Sequence, residues 1–347
     1  MTSAVASPAD LAAANGPLGT AGTAGTADAS HGRRNHDALP VSVSVDCPAK
    51  TNLTLEVGPA HEQWGGRHEL DTIYCALSLT DTVTADAKPA GSGFSLDLAG
   101  RHLGDLASGA ADMRRNHAVL ALFAMAEEAG RTPDVALSID KRIPVGAGLA
   151  GGSADAAATI LALNVLWGLD WPVARLRKVA ATLGADMPFC VAGGYARGTG
   201  YGEIITPIEE GSDMDRALRA EGYCGEVLVG AYQAQLSTPK VYAAFDRVGA
   251  GDGHRNHLQR AAVELHPRSG TAVDEALRAG ARHAFVSGSG PSVVAFVPTT
   301  QVRERVAETW RRSGAVDRII AAEAPAKPLI RPHYASMDSA GSVTVAR

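Results

Sequence analysis

The stretch IPVGAGLAGGSADAAA, residues 143–158, sets four glycines (Gly146, Gly148, Gly151 and Gly152) ahead of a run of alanines. Glycines at this density let the backbone come close to another group before a helix begins, because no Cβ stands in the way. Four readings compete. Gly146, Gly148 and Gly151 satisfy G-x-G-x-x-G, but a dinucleotide fold needs a strand running straight into the glycines and a second strand ending in an acid about 20 residues on. Here KRIP intervenes, and the acid nearest that spacing, Asp170, falls between two helical stretches with no strand before it. A P-loop fails too, since no Lys-Ser or Lys-Thr follows the last glycine. A tight turn with only a packing role asks for fewer glycines than are present. The remaining reading is a phosphate cradle. Successive backbone N–H groups point at one oxyanion, and Ser153, at the expected N-cap, opens a helix whose positive end favours negative charge. Asp155 in the first turn complements the helix dipole yet would repel phosphate unless it turns away or faces a cation, so its role stays open.

Outward from the glycines the chain alternates strand and helix signals. VSVSVDCPAKTNLTLEV (41–57) alternates apolar and polar residues at the period of a half-buried strand, interrupted at Pro48. IYCALSL (73–79) and DTVTADA (81–87) are strand-like, NHAVLALFAMAEEAG (116–130) is helical, and DVALSID (134–140) is a strand. WPVARLRKVAATLG (171–184) reads as another helix, stopped by Gly184. Charge density rises over 207–222, and CGEVLVGAY (224–232) then opens a second domain. Helices near 239–265 and 271–281 follow, leading to AFVSGSGPSVVAFV (284–297), a strand, a glycine turn and a strand. The expected organisation is an extension over 1–40, domains over 41–206 and 223–325, and a tail over 326–347 that packs little. The extension repeats Gly-Thr-Ala and has too little apolar surface to fold.

Composition excludes several classes of partner. A formal charge of −5 spread over 347 residues gives no basic field of the kind nucleic-acid binding leaves. The longest apolar stretch, AAATILALNVLWGL (156–169), is shorter than the roughly 20 residues a bilayer needs, so no membrane span is read. Cys47, Cys75, Cys190 and Cys224 form no C-x-x-C pair, which suggests neither zinc nor a disulfide framework and fits the cytoplasm.

Three separate motifs carry a family resemblance. PVGAGLAGGSADAAA resembles the ATP-binding motif of the GHMP kinase superfamily (galactokinase, homoserine kinase, mevalonate kinase, phosphomevalonate kinase). CPAKTNLTLEVG (47–58) resembles its N-terminal motif, and VSGSGPSVVAF (286–296) resembles its C-terminal glycine motif. PAKTNL, GGRHELDTI, SIDKRIPVGAGLAGGSADAA, LGADMPF and STPKVY narrow the resemblance to a branch of non-mevalonate isoprenoid synthesis whose substrate is a cytidylyl-linked polyol.

The resemblance implies a two-domain α+β fold with the active site in the cleft between domains, and an ATP-dependent small-molecule kinase acting on a 2-hydroxyl. The implied cofactors are ATP and Mg²⁺, with the protein ligands of the metal unassigned. The nucleotide falls to Lys141, Pro144, Val145, Gly146, Ala147, Gly148, Leu149, Ala150, Gly151, Gly152, Ser153 and Ala154. Asn52, His68, Thr238 and Tyr242 match positions that hold the cytidylyl substrate. The chemistry agrees, since γ-phosphoryl transfer to an alcohol needs a group to accept the hydroxyl proton and cations to neutralise developing charge. Asp186, in LGADMPF, is the candidate base; it lies among apolar residues, which is costly for a carboxylate unless a cation is near. Lys50 is the cation the resemblance supplies.

One position departs from the family. Where an aromatic ring is usual before the histidine, this chain has Arg67, so cytosine must stack on that guanidinium, on Trp64, or not be the base recognised. A related decarboxylase on an acidic mevalonate substrate and a non-catalytic sensor on the same fold remain alternatives. The sensor would be expected to lose Lys50, Asp186 or the glycines, all of which are present.

Overall fold

The computed structural model of the protein describes residues 39–100, 110–251, 253–337 and 343–344. Residues 1–38 of the expected extension lie outside them.

A long antiparallel hairpin organises the first lobe. β1 (Ser42–His61) and β2 (Arg67–Ala87) pair along their length, with register shifts at Pro48/Ala49, Asn52/Thr54 and Val57/Ala60 that bend both strands. The first shift sits at the proline, which has no N–H for the ladder. The start of β1 alternates buried and half-buried residues, as its sequence pattern requires, but from Cys47 to Leu53 every residue is buried. Lys50 and Asn52 are thereby carried into the interior. β4 (Val135–Lys141) pairs with residues 82–87 of β2, and β3 (Ser95–Gly100) runs parallel to β4. β5 (Tyr195–Thr199) takes residues 72–75 of β2 and pairs in turn with β6 (Ile204–Ile208). The strand signals at 73–79 and 81–87 are thus parts of one strand.

Helices cover the sheet. α1 (His117–Ala129) begins at Asn116, whose side chain accepts from the Ala118 N–H, and ends at Gly130 in the left-handed conformation. α2 (Gly151–Leu166), apolar nearly all round, packs against β1, β2, α1 and α4 (Met187–Ala192), which explains a helix without a polar face. α3 (Val173–Ala181) starts after Pro172 and has Leu176, Val179 and Ala180 on its buried side.

The second lobe is a four-stranded sheet in the order β10 (Arg318–Ala324), β7 (Gly225–Ala231), β9 (Val293–Phe296), β8 (His283–Val286). Val227, Val229, Val294 and Phe296 face the first lobe's core, while Leu228, Val293 and Ala295 face a second core under the helices. Burial on both faces is why these strands read as continuous apolar runs. α5 (Asp213–Glu221), capped by Ser212, leads into β7 and accounts for the charged stretch at 207–222.

Sequence and structure differ at three places. The helix expected near 239–265 is two, α6 (Thr238–Val248) and α7 (Gln259–Leu265), because Gly249 and Gly251 take positive φ between them. α8 (Pro267–Arg278) follows, and α9 (Thr300–Ser313), unseen in so charged a stretch, buries Val302, Val306 and Trp310 at four-residue spacing. The tail is corrected as well. β11 (Leu329–His333) returns to the first sheet and pairs with Ser42–Asp46 of β1, satisfying backbone groups that would otherwise be an open edge. The molecule is a two-domain α+β fold.

Candidate active site

A cavity of about 1000 Å³ lies between the glycine stretch, the β1–β2 hairpin and α6. Its centre is built by Lys50, Asn52, Tyr74 and Asp186. Lys50 and Asn52, two apart on β1, point the same way, and the Lys50 ammonium donates to Asn52 Oδ1 at 2.9 Å. Asn52 Nδ2 donates to Thr72 Oγ1 at 2.8 Å, which fixes the amide's orientation. Asp186 precedes α4, but its carboxylate does not cap that helix. It stands 3.6 Å from Lys50 Nζ, accepts from the Tyr74 hydroxyl at 3.2 Å, and keeps its side chain 32% exposed, so it is both paired and reachable.

On one side of this centre lies the glycine stretch. Gly146 and Gly148 have φ of 65° and 77°, and Ala150 is left-handed at 56°, so the chain coils back before α2. Ala150, not Ser153, is the N-cap. Ser153 is the third helical residue because Gly151 and Gly152 form the first turn, where a Cβ on Gly152 would collide with His117 Nδ1 and one on Gly151 would lie 3.1 Å from Ile143. No side chain caps this end, and Gly151, Gly152 and Ser153 line the cavity with N–H groups that have no partner within the helix. Gly148 serves a different purpose. A Cβ there would overlap Ser287 O and come within 2.8 Å of Gly290 N, so it is where the two glycine-rich loops meet. Ser287 Oγ fastens that junction, donating to Gly148 O at 3.1 Å or to Thr51 Oγ1 at 3.0 Å.

Lys141 lies beside this wall, but its ammonium is committed to Asp81 and to Asp155, the latter at 2.7 Å. Asp81 also accepts the N–H groups of Arg142 at 2.6 Å and Ile143 at 2.8 Å, anchoring the backbone that enters the glycines. Asp155 thus faces a cation, Lys141, at the wall of the cavity. Burial resists the charge on Lys141, yet Asp155 and Asp81 outweigh it and hold the amine above its ordinary value. Burial, helped by Asp81 and opposed by Lys141, pushes the Asp155 carboxyl up to about 7. His117, at the start of α1, is held below its ordinary value by burial and by Lys141.

The other end carries rings. His68 stacks on Tyr242 with centroids 5.2 Å apart, and its Nε2 lies 3.2 Å from Asp246 Oδ1. Thr238 Oγ1 and Ser289 Oγ are 3.0 Å apart, joining α6 to the C-terminal glycine turn. Arg67 lies over the Tyr201 ring at 4.6 Å, and Trp64 meets the same ring edge-on at 5.9 Å. Arg67 and Tyr201 line the cavity, whereas Trp64 stands behind them.

The residues singled out in sequence therefore converge, with two exceptions. Leu149 and Ala154 are fully buried in the first core, their side chains turned inward by the coil and by α2. Tyr74, Asp81, His117, Tyr201 and Asp246 escaped the sequence reading. Tyr201, between glycines in GTGYGE, left a faint signal; the others sit in ordinary strand or helix patterns.

Known proteins place the chain. The description "GHMP kinases N terminal domain" matches residues 116–194 and "GHMP kinases C terminal" matches 243–316. A 4-diphosphocytidyl-2-C-methyl-D-erythritol kinase of Bifidobacterium adolescentis is 69% identical over 83% of this chain and 94% of that protein. One from Mycobacterium avium is 38% identical over 74% of this chain and 83% of its own. A crystal structure of 4-(cytidine 5'-diphospho)-2C-methyl-D-erythritol kinase superposes with a TM-score of 0.62 at 28% identity, covering 82% of this chain and 99% of the other. Homoserine kinase from Cytophaga hutchinsonii, 16% identical with a TM-score of 0.62 over 86% of this chain and 100% of its own, shares the fold. The chain belongs to the 4-diphosphocytidyl-2-C-methyl-D-erythritol kinase family of GHMP kinases.

Proposed function

We propose that the chain transfers the γ-phosphoryl group of ATP to the 2-hydroxyl of 4-diphosphocytidyl-2-C-methyl-D-erythritol. The observation that carries this is Asp186, paired with Lys50 at 3.6 Å yet not capping its helix, midway between a glycine cradle and a ring-lined end of one cavity. Asp186 takes the proton of the acceptor hydroxyl as its oxygen bonds to the γ-phosphorus. The bond from that phosphorus to the β–γ bridging oxygen breaks, and ADP leaves with the electron pair. Lys50 keeps the base ionised and faces the charge that spreads over the transferring oxygens. The glycine stretch holds the phosphates on N–H groups of the first turn of α2.

Mg²⁺ is the companion ion of ATP in this reading. Among the described residues no group of three or more His, Cys, Asp or Glu side chains converges, so phosphate oxygens would supply most of its ligands, as they commonly do for this ion. When bound, the ion neutralises charge on the leaving phosphates. Cytosine would stack on Arg67, whose guanidinium is held flat by Tyr201, with His68, Asn52, Thr238 and Tyr242 around the remainder of the substrate. The cysteines are free thiols, in keeping with a reducing cytoplasm.

The test is phosphotransfer from ATP over a panel of alcohols with and without the cytidylyl group. Turnover of the cytidylyl polyol well above the bare polyol supports the reading. Equal turnover with uridine in place of cytidine removes the assigned base, and release of carbon dioxide from a mevalonate diphosphate would replace the reaction.

A further inference from the structure

We infer that Tyr74 is a positioning residue for the phosphoryl transfer: its buried hydroxyl holds Oδ1 of Asp186, leaving Oδ2 turned toward Lys50 and the acceptor alcohol. The inference rests on the assignment of Asp186 as base. Four observations carry it. Tyr74, on β2, is only 2% exposed, yet it lines the cavity. Its hydroxyl lies 3.2 Å from Asp186 Oδ1, while Lys50 Nζ approaches the other oxygen, Oδ2, at 3.6 Å. The ring is locked by Phe189, stacked at 4.9 Å and 22°. Two glycines clear its path: a Cβ on Gly198 would come within 2.5 Å of the ring, and one on Gly202 within 2.7 Å of the hydroxyl. An apolar side chain would fill this space without needing Gly202 to yield to a hydroxyl.

A second acceptor explains how the contact can serve a base that changes charge. The same hydroxyl lies 3.3 Å from Gly202 O. With one proton and two acceptors, Tyr74 donates to the carboxylate while Asp186 is ionised, because a charged acceptor makes the stronger bond. When Asp186 has taken the substrate's proton, the hydroxyl can turn to Gly202 O, so neither state strands a buried donor. Tyr74 gives up no proton of its own. Burial and the neighbouring Asp186 hold its phenol well above the ordinary value. The charged and titratable groups facing this pair are Lys50 from β1, Cys190 from α4 and Tyr242 from α6.

The test is Tyr74→Phe in the full chain, which keeps the ring and its stacking. Removing a donor from a carboxylate disfavours its ionised form, so the acid limb of kcat/KM should move up by about 0.5 to 1 pH unit. At the optimum kcat should fall about 3- to 30-fold, with KM for both substrates within about twofold and Tm close to wild type. In an Asp186→Asn background the same change should cost nothing further, since the hydroxyl acts through that carboxylate. An unchanged kcat, a fall in kcat with an unmoved acid limb, or a full multiplicative loss in the double variant would each overturn the inference. Wild-type turnover of Asp186→Asn alone would instead remove the base assignment, and this inference with it.

Discussion

Replacing Lys141 with Met should produce a protein whose stability deficit grows with pH above 7. The substitution removes the cation shared by Asp81 and Asp155, all three side chains being nearly fully buried. Removing one partner from a buried ion pair costs about 3–5 kcal/mol when the remaining charge stays uncompensated. Here it can be neutralised instead. The Asp155 carboxyl already stands at about 7 with Lys141 opposing the rise, so without the ammonium it stands higher and holds a proton at neutral pH. A carboxyl whose folded value lies above its unfolded value contributes stability that is full below the unfolded value, and loses it as pH rises through the folded value. That loss is half complete near pH 7 in the wild type and all but finished a unit higher, whereas it continues in the variant. Each further pH unit therefore widens the gap by up to about 1.4 kcal/mol, or about 1.5 kcal/mol in all between pH 7 and 8.5. At about 2–4 °C per kcal/mol, the Tm difference should grow by about 3–6 °C. Thermal unfolding of both proteins at the two pH values measures it. A Tm difference that is the same at both would refute the reasoning, because it would mean that no proton replaces the lost cation.

Three further outcomes are expected. Asp186→Asn should lower kcat by about 10²- to 10⁴-fold in a phosphotransfer assay while KM for ATP stays near wild type, the nucleotide being held elsewhere. Gly148→Ala should act first on stability, since it forces φ of 77° on a residue with a Cβ and drives that atom into Ser287 O. A strained backbone alone costs about 1–3 kcal/mol, so a melt should show Tm lower by at least about 2–4 °C; an unchanged Tm with a raised KM for ATP would return Gly148 to the cradle. Arg67→Ala should raise KM for the cytidylyl substrate about 5- to 150-fold, matching a stacking contact of about 1–3 kcal/mol, and leave KM for ATP alone.

Much of the site was legible because its chemistry is local. Glycines that coil before a helix and an aspartate after a helix stop are short-range patterns that a residue's neighbours in sequence announce, whereas Lys50 and Asn52 stood out only through the resemblance of PAKTNL to a known motif. The misses are of another kind. Ser153 looked like a cap because serine before alanines usually is one, yet Gly151 and Gly152 can enter the helix where His117 and Ile143 press against them. Gly148 does line the cavity with the rest of the glycine stretch, but the steric limit on it comes from a loop some 140 residues away, which its neighbours in sequence could not announce. Leu149 and Ala154 sat inside a motif whose alternate side chains face the core.

What the sequence determined by itself was the class of fold and the family, since short motifs carry the resemblance on which both rest; it also singled out the glycine stretch, Lys50 and Asp186, which line one cavity. Tertiary structure alone decided which charges meet. Asp81, Lys141 and Asp155 come from a strand, a strand end and a helix, and no spacing links them; desolvation drives any buried charge to find a partner, and only the packed chain says which partner is within reach. The same holds for Tyr74, 112 residues from Asp186, and for β11, which the composition of the tail gave no reason to expect and which the open edge of β1 recruits because unpaired backbone groups there need partners.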